Sequence, residues 1–149
     1  MAIKSFRGMM ATDTIDTISL HTNTGSTGYR IKKLQTIQED PGVQTEHVVK
    51  IYTVAQTTVD DKINFSDNEL LGVSYLQSGP SASSSTVANE VIIFDNITFN
   101  QDIYVTAKTI TGSDEVNYYI ELEQVKLSLD ENTVATLKDI RNTITPTSV

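Results

Sequence analysis

The chain has 149 residues, a formal net charge of −8 and no cysteine. That length supports one domain with a real core, and the missing cysteine excludes a disulfide framework, a thiolate metal site and a cysteine nucleophile. The acidic balance argues against a nucleic-acid partner, because such binders present a basic face from which phosphate contacts release counterions.

Ile, Val and Thr fill about a third of the positions, and β-branched residues fit a pleated, half-buried surface better than a helix. Alternating apolar runs near residues 2 to 10, 14 to 20, 29 to 37, 46 to 54, 70 to 77, 90 to 97, 102 to 110 and 116 to 129 predict eight strands. The separators "HTNTGSTG", "QEDPGVQ", "SGPSASSST", "NITFNQD" and "TGSDE" carry the Gly, Pro, Asn and Asp that turns require. The expected fold is therefore all-β, an antiparallel β-sandwich of jelly-roll type.

Residues 1–12 are expected to form an N-terminal arm or first strand, and residues 13–149 a single β-sandwich domain. The opening "MAIKSFRGMM" has no apolar run of signal-peptide length, and nowhere do about 18 apolar residues follow one another, so no membrane partner is expected. Ile3, Phe6, Met9 and Met10, with Arg7 among them, are apolar residues out of place in an arm, as are Ile144 and Val149 at the other end. These six apolar residues and Arg7 are the candidate interface. In the middle of the chain, "SGPSASSST" at 78 to 86 is expected to be a flexible loop.

The last predicted strand changes its beat. Val116, Tyr118, Ile120 and Leu122 share one face, whereas Val125, Leu127 and Leu129 take the opposite parity. One residue must be absorbed near Glu123 and Gln124, and a β-bulge there would bend the strand. A short helix is expected over 130–142: Asp130 is a good N-cap, Lys138 and Arg141 suit the other end, and Val134, Leu137 and Ile140 make an apolar stripe.

No catalytic or metal-binding set emerges, and no cofactor is expected. His21 and His47 lack ligand spacing. Asp60, Asp61, Asp67, Asn68 and Glu69 read as a solvated loop without a cation-binding pattern. Glu121 and Glu123 share a strand face but have no evident pKa-shifting partner, and the serines of "SASSS" lack a nucleophile elbow. Arg30, Lys32 and Lys33 are the one local basic cluster and read as a solvated strand face.

Taken over nearly the whole chain, through "MAIKSFRG", "DTISLHTNTGSTGYRI", "VVKIYTVAQTTVDDKINFSDNELLG", "FDNITFNQDIYVTA" and "NYYIELEQVKLSLDENTVATLKDIRN", the sequence resembles a family of small proteins encoded by marine tailed phages, pelagiphages and cyanophages among them. The resemblance implies a non-enzymatic virion component made in the host cytoplasm. It would sit on the capsid exterior as a decoration or cement protein that binds the major capsid protein. Homo-oligomerisation, with a trimer favoured, is expected to add stability through repeated contacts. The alternative is a tail, fibre or appendage domain that binds a host surface glycan, with Tyr104 or Tyr119 as a stacking platform.

Overall fold

The computed structural model describes residues 2–20, 26–81 and 84–127. Eight strands form, seven of them where apolar alternation places them and the sixth starting earlier than its expected run at 90 to 97: β1 (Ile3–Met10), β2 (Thr14–Ile18), β3 (Thr27–Gln38), β4 (Thr45–Tyr52), β5 (Leu70–Ser81), β6 (Ser84–Ile93), β7 (Ile103–Thr111) and β8 (Val116–Lys126). They form two antiparallel sheets, one in the order β1-β8-β3 and the other β2-β7-β4-β5-β6. No helix occurs among the described residues, and the expected helix at 130–142 lies outside them.

The chain changes sheets at several connections, so each sheet is assembled from distant segments. Between β1 and β2 the change is made within three residues, and Asp13 adopts φ 64° there. Aspartate tolerates this left-handed conformation better than most side chains. Its amide donates to the Ala107 carbonyl at 2.8 Å, and its carboxylate accepts from Lys108 Nζ at 2.8 Å. Between β7 and β8, Gly112 has φ +86°, and a Cβ there would stand 2.8 Å from the Gln44 carbonyl oxygen. Only glycine fits that turn without strain.

The two sheets meet face to face through one core. Met10, Ile31, Leu34, Val116, Ile120 and Leu122 come from the three-stranded sheet; Ile18, Val49, Ile51, Leu76, Ile103 and Val105 oppose them from the five-stranded one. Polar ties span the same gap. Tyr118 donates its hydroxyl to Asp16 Oδ2 at 3.1 Å, and the hydroxyls of Thr36 and Ser74 lie 2.6 Å apart. Burial and the neighbouring Asp16 carboxylate raise the Tyr118 pKa, so the phenol stays protonated as a donor.

Two expectations are corrected. The register slip belongs to β3, not β8: β8 pairs with β1 without interruption from Val116 to Glu123. In β3 the partner sequence jumps between Ile31 and Lys33, leaving Lys32 as the extra residue. Tyr29 and Ile31 are buried before the bulge and Leu34, Thr36 and Gln38 after it, while Lys32 and Lys33 are exposed in succession. A strand that must keep inward groups on both sides of a parity change needs one unpaired residue, and a lysine tolerates that exposed place. The second correction concerns residues 78–86. Most of that Ser-rich stretch is a hairpin, in which Ser78 pairs with Val87, Gly79 with Thr86, Pro80 with Ser85 and Ser81 with Ser84.

Candidate functional site

Strand pairing fixes which residues share the outer face of the three-stranded sheet, because directly opposed residues project to the same side. Four rows cross it: Ile3, Glu123 and Arg30; Ser5, Glu121 and Lys33; Arg7, Tyr119 and Gln35; Met9, Asn117 and Ile37. Alternation sends Phe6 and Met10 the other way. Phe6 packs against the core and Met10 is 2% exposed within it.

The candidate interface thus divides. Ile3, Arg7 and Met9 come together on the outer face, Phe6 and Met10 serve the chain's own core, and Ile144 and Val149 lie outside the described residues. Ile37, Tyr119, Arg30 and Lys33 join the face from β3 and β8. Ile37 is the residue that reading by alternation missed. Its parity is set by the bulge at Lys32, and the sequence signal for that bulge is the step from Ile31 to Leu34.

Ile3, Met9 and Ile37 are 52%, 47% and 64% exposed, an unusual cost for large apolar groups on one sheet surface. Between two of them, Arg7, Met9, Gln35, Ile37, Asn117 and Tyr119 line an open depression of about 480 Å³. At the other end the charges are organised. Arg30 donates to Glu123 Oε1 through Nη2 at 2.6 Å and Nε at 3.1 Å, and Lys32 Nζ stands 3.6 Å from Oε2. The Arg30 guanidinium holds the Glu123 carboxyl below the ordinary glutamate range. Tyr119 donates to Glu121 Oε2 at 2.6 Å, and that bond raises the phenol pKa. Glu121 and Glu123 are therefore each engaged by a neighbouring side chain.

The opposite outer face, on the five-stranded sheet, is occupied by the protein itself. Val48, Lys50, Tyr52, Leu70 and Val73 are buried yet lie outside the central core cluster. The connection 53–69 is held there by Lys50, whose Nζ donates to Asp60 Oδ1 at 2.8 Å and to the Lys62 carbonyl at 2.6 Å. Burial alone would lower the lysine pKa, but hydrogen bonds with Asp60 and Tyr52 reverse the shift, while the same pair lowers Asp60. Both shifts favour the charged pair. On its outer side the connection exposes Ile63 at 44% and Phe65 at 57%, the latter edge-on to Phe94.

Other candidates resolve individually. His47 is fully buried: Nε2 lies 2.7 Å from Thr45 Oγ1, and Nδ1 lies 2.9 Å from Thr109 Oγ1. His21 lies outside the described residues, among which no group of three or more His, Asp or Glu side chains could hold a metal. Tyr104 and Tyr119 face opposite sides of the molecule. No family model matches the sequence, and comparison with curated proteins and with solved structures returned no match.

Proposed function

We propose that the chain is a non-enzymatic structural protein of a tailed-phage particle, decorating or cementing the capsid exterior by binding the major capsid protein. The observation that carries the reading is that the outer face of β1-β8-β3 leaves Ile3, Met9 and Ile37 in water. A surface of that kind suits protein contact better than catalysis. The resemblance to the marine phage proteins supplies the particle context.

The strand orders support a jelly roll. The runs β1-β8-β3 and β2-β7-β4-β5 match part of the order expected of two interleaved Greek keys, while β6 departs from it by pairing with β5. Such domains closed into a homo-oligomer, a trimer by preference, would repeat the contact around a shell site. Mass spectrometry of purified particles tests the proposal: a copy number comparable to capsid protein is expected, and absence of the chain ends it.

A glycan-binding appendage is the second reading. It is favoured by the open depression in which Tyr119 stands beside Arg7, Gln35 and Asn117, an aromatic platform with polar neighbours. Particle imaging separates the two, since lattice density over the shell belongs to the first and density confined to the tail or one vertex to the second.

A further inference from the structure

Charge is segregated between the two sides of the molecule. On the outer face of β1-β8-β3, Arg7, Arg30, Lys32 and Lys33 outnumber Glu121 and Glu123, a formal charge of +2 in a chain of −8, while Lys4 and Lys126 fall at positions of the other parity. The connection 53–69 carries Asp60, Asp61, Asp67 and Glu69 against Lys62. Beyond it on the five-stranded sheet, Glu90 and Ile92 are exposed on β6. Each side also exposes large apolar groups: Ile3, Met9 and Ile37 on the basic face, and Ile63, Phe65 and Ile92 on the acidic one. The two sides are complementary in charge and alike in apolar character.

We propose that the outer face of β1-β8-β3 docks on the acidic 53–69 side of a second copy, head to tail. This rests on the reading of the chain as a self-assembling shell component and specifies how the copies meet. A two-fold contact of this face with itself would bring two surfaces of like net charge together. A nucleic acid would meet Glu121 and Glu123 on the central strand, where carboxylates repel phosphate. The chain's own residues 128–149 offer Asp130, Glu131 and Asp139 against Lys138 and Arg141, a nearly balanced set with little acidic complement for the face. A head-to-tail contact closes into a ring when its rotation allows and otherwise extends. A closed ring engages both faces of every copy, and an open chain leaves one face free at each end.

Sedimentation velocity on the full chain tests the contact through charge reversal. Variant F carries Arg7→Glu and Lys33→Glu, and variant L carries Asp61→Lys and Glu90→Lys; all four positions are solvent-exposed. Wild type is expected to self-associate, and less so in about 1 M salt, where screening acts within ~3 Å. F and L alone should each associate about 10-fold more weakly or worse, because like charges then face each other. Mixed in equal amounts they should associate again, since both pairings between them join opposite charges.

Thermal melts matching wild type would show that both variants fold. Undiminished association of L, failure of the mixture to recover, or a monomeric wild type that binds duplex DNA through Arg7 would each overturn the proposal. Failure of the shell reading looks different. A wild type that associates in this way yet is absent from particles sinks that reading and leaves the contact standing, whereas a monomer found on particles sinks the contact alone.

Discussion

Gly8 and Tyr118 show how one side chain dictates another position. A Cβ at Gly8 would stand 2.8 Å from Tyr118 Cε2, and the ring is fixed by its bond to Asp16 across the sheets. Gly8→Ala should therefore destabilise the protein by about 1–3 kcal/mol, an overpacking cost, as measured by chemical denaturation. His47 supplies a pH dependence. His47 stands between the Thr45 and Thr109 hydroxyls, which also reach the Thr111 and Asp114 carbonyls at 3.3 and 3.4 Å. Burial lowers its pKa against a smaller opposing pull from Asp114. A depressed folded pKa means the contribution is complete above the unfolded value of about 6.5 and is lost as pH falls through the folded value. Urea titrations at pH 7 and pH 5 should show stability falling by at most ~1.4 kcal/mol per pH unit from this group, and His47→Gln should flatten the fall. An unchanged slope in the variant would exclude His47 as its source.

At the scale of elements, the bulge in β3 and the latch on the connection 53–69 make separate predictions. Removing Lys32 restores simple alternation, with Ile31 and Leu34 still inward on either side of Lys33. That deletion should leave a folded protein, while deletion of Gln35 should turn Leu34 and Thr36 to opposite faces and abolish cooperative melting. In the latch, Lys50 is almost fully buried and Asp60 is half in water. Asp60→Ala, which strands the ammonium, should cost about 1–2 kcal/mol, below the figure for a wholly buried pair, and Lys50→Met should cost less. The reverse order in denaturation midpoints would argue against an ion-pair latch. Apolar alternation exposed all eight strands because each needs one buried face. It misplaced the slip because β8 runs past the core at Glu123, where Val125 no longer obeys the inward rule, whereas "YRIKKLQ" held the actual parity change at Ile31 and Leu34. The outer-face rows were not legible, since they depend on which strands become neighbours, and β1 pairs with β8 from the far end of the described chain.

For the whole molecule, the argument is one of unequal sides. A chain of −8 carries a formal +2 on the outer face of three strands and leaves three large apolar residues exposed among those charges. The basic cluster was visible in sequence as Arg30, Lys32 and Lys33; its union with Arg7 and Ile3 required the sheet. Ile37→Ser should leave the melting temperature nearly unchanged, since the side chain is 64% exposed, yet weaken attachment to expanded shells or to a second copy. Unaltered attachment and association would remove Ile37 from any interface. The most direct measurement is a reconstruction of the intact phage particle proposed to carry this chain. The account predicts repeated density over the shell lattice into which the two stacked sheets fit, with the outer face of β1, β8 and β3 against another polypeptide. Shell density without this domain, or the domain present with that face open to solvent, would contradict it.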